Sequence, residues 1–135
     1  MAKKGTAEER DLVQKLWKMK FAAMRAPASG SATKHSIPDV IAGNGSIYLG
    51  IEVKTTIKDV IYVDSAQIDG LIEFCNIFGA KPYLGIKFKR TKWLFLKPEN
   101  VERTKSKNYK IKKDYAIEKA LELDEVLGID KQIKF

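Results

Sequence analysis

The sequence of 135 residues contains only one cysteine, Cys75, and one histidine, His35. A single cysteine cannot form an intrachain disulfide, so we expect a reducing, cytoplasmic environment. The sequence has no zinc-ligand set, no glycine-rich phosphate loop and no Ser-His-Asp arrangement. No run approaches the roughly 18 apolar residues that a membrane-spanning helix requires. These absences exclude disulfide scaffolds, zinc proteins, nucleotide-binding loops and serine hydrolases, and we do not expect His35, in a polar loop, to be a general base.

The sequence has an excess of positive charge. Twenty-five Lys and Arg stand against 17 Asp and Glu, a net charge of +8, and 44% of the residues are hydrophobic. This length and apolar content predict a single domain over residues 1–135. The charge favours a polyanionic partner, nucleic acid first, and the basic runs at 87–93 and 103–113 interleave aromatic residues as a phosphate-binding surface does. The alternative to a nucleic-acid-binding surface is that these basic residues form a solvated face that only keeps the protein soluble.

The order of predicted elements indicates an α/β fold with a central mixed sheet flanked by helices. Hydrophobic periodicity predicts helices over 6–20, 63–79 and 114–127, with Cys75 on a buried helix face. Strands are expected at 21–27, 81–88 and 92–97, and a mobile polar loop at 28–36. Either the strand segment 93–96 or the C-terminal helix could form a dimer contact, although both could equally be core.

Residues 37–54 predict a β-hairpin, because Asn44-Gly45 favours a two-residue type I′ turn. With that turn, Gly43 pairs with Ser46, and Asp39 lies opposite Gly50. Alternation of side chains then places a wholly apolar set on the core face of the hairpin. Its members are Pro38, Val40, Ala42, Ile47, Leu49, Ile51 and Val53.

The other face of this hairpin carries Asp39, Glu52 and Lys54. In the predicted register the two carboxylates are diagonal neighbours, roughly 7 to 8 Å apart, and Gly50 leaves space for a cation between them. Hard oxygen ligands with room for waters and a phosphate are what Mg²⁺ prefers. We therefore predict a catalytic metal site, with the Lys54 ammonium pointing into the same pocket. A solvated face with incidental charged residues is the alternative.

The segments "IPD" at 37–39 and "IEVK" at 51–54 resemble the PD-(D/E)xK signature of the restriction-endonuclease-like nucleases. Four further segments strengthen the resemblance: "KGTAEERDLV" at 4–13, "RAPASGS" at 25–31, "YVDSAQIDGLIEF" at 62–74 and "YLGIKF" at 83–88. Together they are similar to the archaeal Holliday junction resolvases over roughly residues 4–127.

This resemblance implies a restriction-endonuclease-like fold and a homodimer that makes paired symmetric cuts in four-way DNA junctions, in recombination and repair. It implies Mg²⁺ as the cofactor, for which we expect Mn²⁺ to substitute. The catalytic residues implied are Glu9, Asp39, Glu52 and Lys54, supported by Ser29. The expected metal ligands are Glu9, Asp39, Glu52 and Val53. The expected DNA-binding residues are Arg25, Ser29, Gly30, Ser31, Lys34 and Gln67.

Three of these residues also have structural interpretations. Glu9 could complete a capping box with Thr6, and Gln67 could do the same with Asp64. Glu9 nevertheless shares the helix face of Leu12 and Leu16, which predicts that it points inward. Arg25 could simply pair with an acid at a strand end. A related nuclease acting on ordinary duplex DNA, or a non-catalytic DNA-binding protein, remains the alternative function.

Overall fold

The computed structural model describes residues 6–27, 35–104, 106 and 108–128. The helices are α1 (Thr6–Lys18), α2 (Ser65–Phe78), α3 (Lys113–Lys119) and α4 (Leu123–Val126). The strands are β1 (Ala22–Arg25), β2 (Val40–Gly43), β3 (Tyr48–Thr56), β4 (Val60–Val63), β5 (Lys81–Phe88), β6 (Leu94–Leu96), β7 (Glu102–Arg103) and β8 (Tyr109–Lys112). A 3₁₀ turn covers Pro98–Asn100. None of these helices is a candidate membrane span.

The strands form two sheets. The larger has five strands in the order β1-β2-β3-β5-β6, and the smaller has three in the order β4-β8-β7. In the larger sheet β3 and β5 are parallel and the other neighbours are antiparallel. This arrangement confirms the predicted mixed sheet. The smaller sheet was not predicted, because β7 is only two residues long and carries no apolar alternation.

The core has two layers, one on each face of the larger sheet. On one face, Leu12 and Leu16 of α1 are buried in a cluster with Leu49 and Ile51 of β3. On the other, α2 and the smaller sheet cover β5 and β6 in a second cluster, which includes Ile68, Leu71, Cys75, Leu84, Ile86 and Ile111. The buried position predicted for Cys75 is confirmed, and burial raises the pKa of its thiol to about 11. The central strands are therefore packed against other elements on both faces of the sheet.

The predicted C-terminal helix over 114–127 is wrong as a single element. The chain breaks between α3 and α4, and Leu121 forms a β-bridge with Phe95 of β6. The Leu121 N–H donates to the Phe95 carbonyl at 2.8 Å, and the Phe95 N–H donates to the Leu121 carbonyl at 2.9 Å. Pairing with an edge strand satisfies backbone groups that the sheet would otherwise leave open, and it outweighs local helix propensity here.

The segment 93–96, considered above as a dimer contact, belongs to the core. Its four side chains are all buried, and Phe95 has no exposed surface. Leu121 also occupies the open edge of β6. Of the two interpretations of this segment, the structure supports ordinary core packing.

The hairpin is formed, but its register differs from the prediction by two residues. Gly43 pairs with Tyr48 and Ile41 with Gly50, so the loop has four residues, 44–47. The cause is the Asn44 side chain, whose Oδ1 accepts hydrogen bonds from the N–H groups of Ser46 and Ile47. Such an Asx turn competes with the type I′ turn. A shift of two residues preserves the faces of the hairpin, whereas a shift of one would have reversed them.

Gly50 does not leave space for a cation. A Cβ at this position would lie 2.5 Å from Cys75 Sγ and 3.2 Å from Pro38 Cγ, so Gly50 permits the close approach of α2 to β3. The predicted cation space there is wrong. Pro38 was also assigned to the wrong face, because the chain bends at Asp39 before β2 begins and Pro38 packs on the Gly50 side.

We expect Gly50→Ala to destabilise the protein by about 2 kcal/mol, because the added methyl group overpacks the α2–β3 contact. Urea unfolding would measure the change. Adding Cys75→Ala to Gly50→Ala should restore more than half of the lost stability, since it removes the nearest atom. Wild-type stability for Gly50→Ala, or no recovery in the double variant, would contradict this packing.

Candidate active site

The two predicted carboxylates meet where β3 extends beyond β2. The first residue of β2, Val40, pairs with Ile51, so Glu52 and the rest of β3 have no partner on that side within β2. Asp39 lies just before β2, and its Oδ2 accepts a hydrogen bond of 2.8 Å from the N–H of Val53. The structure therefore brings Asp39 beside Glu52 more directly than the diagonal arrangement predicted.

The charges around Glu52 are strongly coupled. Burial, followed by the negative charge of Asp39, raises the pKa of Glu52 from its usual 4.5 to about 7, with Lys54 opposing and Glu9 adding to the rise. A carboxyl group whose pKa lies near neutrality beside other acids is typical of a functional site. This perturbation cannot arise on the freely solvated face considered as the alternative.

Glu9 points inward from α1, as predicted. Its side chain is only 13% exposed, and its Oε1 accepts a hydrogen bond of 3.1 Å from Arg25 Nε. Arg25 thus pairs with an acid at a strand end, as the alternative interpretation expected, and its role in DNA binding stays a prediction. The ion pair joins α1 to β1 and fixes Glu9 at the border of the site.

Lys54 and Gln67 are also brought together. Lys54 Nζ donates a 3.0 Å hydrogen bond to Gln67 Oε1, in the first turn of α2. Asp64, the N-cap residue of α2, makes no side-chain capping bond. The capping box proposed for Asp64 and Gln67 is therefore wrong, and Gln67 instead fixes the position of the Lys54 ammonium.

The backbone at Val53 also faces the carboxylates. Because the N–H and C=O of one residue in a strand point to the same edge, the N–H bond to Asp39 implies that the Val53 carbonyl lies on that edge too. Two carboxylates and a carbonyl are hard oxygen donors, which suit a small divalent cation. A cation would also offset the negative charge of Asp39, which after burial is the main cause of the raised pKa of Glu52. The residues present therefore fit a metal such as Mg²⁺.

A second group of acids lies at α4 and was missed in the sequence. Among the described residues, Glu122, Asp124 and Glu125 are the only three acids with ligand oxygens all within 4.8 Å of one another. Their closeness has a structural explanation. Glu125 Oε1 accepts a 3.0 Å hydrogen bond from the N–H of Glu122, and Glu122 forms an ion pair with Lys92. Glu9, Asp39 and Glu52 do not form such a group, so their ligand oxygens are not all within 4.8 Å of one another.

Comparison with known proteins decides the family. A model of the family described as "Archaeal holliday junction resolvase (hjc)" matches residues 1–135. The chain belongs to the archaeal Holliday junction resolvase family. Its membership confirms the resemblance inferred from the PD-(D/E)xK signature and the four accompanying segments.

Relatives within the resolvase family are similar over nearly their whole length. The crossover junction endodeoxyribonuclease Hjc of Archaeoglobus fulgidus is 41% identical over 136 residues, covering 100% of this chain and 97% of the relative. That of Methanocaldococcus jannaschii is 40% identical, covering 98% and 92%. A solved structure of Archaeoglobus fulgidus Hjc, described as a Holliday junction resolvase, superposes with a TM-score of 0.83 at 39% identity, covering 90% of this chain and 98% of that one. The nuclease fold expected from the sequence is confirmed.

Some resolvase positions fall outside the structural description. Ser29, Gly30, Ser31 and Lys34 lie among residues 28–34, which the structure does not describe. Their predicted roles in catalysis and DNA contact therefore stay predictions.

Proposed function

We propose that this chain is a divalent-metal-dependent endonuclease that cuts four-way DNA junctions as a homodimer. The observation that supports it most directly is the position of Asp39 beside Glu52, where β3 extends beyond β2. Burial and then the negative charge of Asp39 raise the pKa of Glu52 to about 7. Membership of the archaeal Holliday junction resolvases supplies the substrate class. The relatives from Archaeoglobus fulgidus and Methanocaldococcus jannaschii are named crossover junction endodeoxyribonucleases.

The carboxylates of Asp39 and Glu52 and the carbonyl of Val53 would hold Mg²⁺, or Mn²⁺ in its place, with Glu9 acting through water. When bound, the cation supplies Lewis-acid activation of the phosphate and of water. Arg25 holds Glu9 by a 3.1 Å bond and so keeps that carboxylate at the site.

Lys54 acts on the developing negative charge of the phosphate. Its ammonium is fixed by the 3.0 Å bond to Gln67, so it does not have to reorganise during the reaction. The junction itself is distinguished by its shape, because a basic surface reads the geometry of the phosphate backbone and not the base sequence. A two-fold dimer would place one active site on each of two opposed strands.

An apolar patch at the end of α2 suits the dimer contact. The rings of Phe74 and Phe78 stack with centroids 5.2 Å apart. Ile77, next to Phe78, is 82% exposed. A two-fold contact uses the same patch on both subunits, so a self-complementary apolar surface is sufficient. We therefore propose this patch in place of the segment 93–96.

We expect Ile77→Glu to convert the dimer to a monomer at micromolar concentration, because a charge would be buried in an apolar contact. Analytical ultracentrifugation would measure the mass. Ile57→Glu is the matched control, since Ile57 is 80% exposed at a different part of the surface and should leave the dimer intact. A dimeric Ile77→Glu variant would contradict the proposed contact, and a monomeric wild type would contradict the homodimer.

The function is tested by comparing cleavage of a four-way junction with cleavage of a linear duplex of the same arm sequences. The assay is run with Mg²⁺, with Mn²⁺ and with a chelator. Metal-dependent cutting confined to the junction supports the proposal. Equal cutting of both substrates would identify a general duplex nuclease, and binding without cutting in any metal would identify a non-catalytic DNA-binding protein.

A further inference from the structure

Two surface clefts adjoin one another beyond the end of β3. One, of about 520 Å³, is lined by β4 and β8, and the other, of about 280 Å³, is lined by the turns that follow β3 and β5. They share Asp59 and Lys113, so they form one continuous surface. Its cations come from both basic runs noted in the sequence and from the β3–β4 turn. We call this the basic surface: Lys58, Lys89, Arg90, Lys110, Lys112 and Lys113.

The fold explains why these cations converge. In the smaller sheet Tyr62 pairs with Lys110 and Val60 with Lys112. Alternate residues, including Ile61 and Ile111, are buried in the core, so the paired residues point outward. Lys110 Nζ lies 6.0 Å from the centre of the Tyr62 ring, a cation–π contact that helps position it.

The turn after β5 brings further cations to the basic surface. Phe88, the last residue of β5, pairs with Thr56, the last residue of β3. Lys89 and Arg90 therefore follow beside Lys58, which lies two residues after Thr56. Residues distant in sequence thus form one surface. The sequence shows the basic runs at 87–93 and 103–113 but does not show that they meet.

These cations lack acidic partners. Within the described part of the chain, no carboxylate comes within 4.0 Å of any of the six to form a salt bridge. The clefts contain two acids, Asp59 and Asp114, against the six cations. Four of the cations are exposed: Lys58, Lys89, Arg90 and Lys112. A surface of unpaired cations suits a polyanion.

The basic surface lies outward from the active site. Lys58 follows Lys54 by four residues, which is at most about 13 Å along an extended chain. That distance is about four base pairs of duplex at a rise of 3.4 Å. The apolar patch at the end of α2 comes shortly before Lys81 in the sequence. Lys81 begins β5 at the end opposite the basic surface, roughly 25 Å from it. The order across the molecule is therefore the proposed dimer contact, the active site and the basic surface.

We propose that the basic surface binds the phosphate backbone of a duplex arm of the junction, about four base pairs from the cleaved bond on the side away from the dimer contact. This inference rests on the proposed function. The arm would leave the centre of the junction near the dimer axis, pass the active site and continue over the smaller sheet. The surface adds affinity without reading sequence, because its cations face phosphates.

The test compares two double variants that remove the same charge. Lys89→Gln with Lys112→Gln alters the basic surface, and Lys81→Gln with Lys97→Gln alters exposed lysines that line a separate cleft beside Pro98. Junction affinity is measured by fluorescence anisotropy in chelator across a salt series. We expect the first variant to bind about tenfold more weakly and to lower the salt slope by about 1 to 2, and the second to bind as the wild type does.

Uncharged methylphosphonates provide a second measurement. Placed about four base pairs from the cleaved bond, they should weaken wild-type binding but have little further effect on the Lys89→Gln/Lys112→Gln variant. Equal weakening by both double variants, or no weakening by the first, would overturn the basic surface as an arm contact. Metal-dependent cleavage by the wild type is measured in parallel. Its absence would overturn the proposed function, whereas its presence with unchanged variant affinity would overturn only this inference.

Discussion

Replacing Asp39 with Asn is expected to slow junction cleavage by on the order of 10³-fold while leaving junction affinity within about threefold of wild type. Asn retains an oxygen that can accept the 2.8 Å hydrogen bond from the N–H of Val53, so the local fold should persist. The negative charge that would help to hold the metal is lost. Single-turnover cleavage in Mg²⁺ and anisotropy in chelator separate the two effects.

Asp124→Asn is the matched control, because it alters the other group of acids. Asp124 Oδ1 accepts a 2.9 Å hydrogen bond from the N–H of Glu125, so this substitution also removes a charge while leaving an oxygen to accept that bond. We expect it to cut junctions at the wild-type rate. Near wild-type cleavage by Asp39→Asn would show that the metal is held elsewhere. A loss of cleavage in Asp124→Asn comparable to that in Asp39→Asn would show that the acids of α4 hold it.

The stability of the metal-free protein is expected to fall as pH rises from about 4.5 to about 7, with Glu52 accounting for on the order of 3 kcal/mol. The pKa of Glu52 is raised from 4.5 to about 7, so the folded protein binds this proton more tightly than the unfolded chain does. The resulting stabilisation is fully present below about pH 4.5 and is lost above about pH 7. Burial and the charge of Asp39 are the causes.

Urea unfolding at several pH values in chelator would measure this contribution. Other carboxyl groups titrate in the same range, so the informative quantity is the difference in unfolding free energy between the wild type and Glu52→Gln. The introduced glutamine cannot ionise, so this variant should lose less stability than the wild type between pH 4.5 and 7. Adding Mg²⁺ should stabilise the wild type more at pH 8 than at pH 5.5, since the cation competes with the proton. Parallel pH profiles for the two proteins would contradict the coupling at Glu52.

The hairpin shows how far sequence reasoning reached. The turn type and register were wrong, because the Asn44 side chain captures two N–H groups. The face of β3 that carries Glu52 and Lys54 was nevertheless correct, since the error was an even number of residues. Asp39 reaches this site from the bend that precedes β2, through its bond to the N–H of Val53. The role of Gly50 could not be predicted, because it depends on Cys75, which arrives from α2, 25 residues later.

The partners of the site residues show where sequence reasoning stopped. An inward-facing Glu9 followed from helical periodicity, but its bond to Arg25 depends on how α1 packs beside β1. The Lys54–Gln67 bond likewise joins a strand to a helix, and local pattern favoured a cap for Gln67 instead. The break between α3 and α4 was missed because the bridge to Phe95 lies outside any local window.

The sequence by itself determined the α/β class, the family and the face of β3 that carries Glu52 and Lys54, because periodicity and short motifs are local properties of the chain. Only the tertiary structure decided which charges meet, how strongly burial perturbs Glu52, and where the scattered lysines converge. Those outcomes depend on distances between residues far apart in sequence, and such distances are fixed only when the helices and both sheets pack against one another.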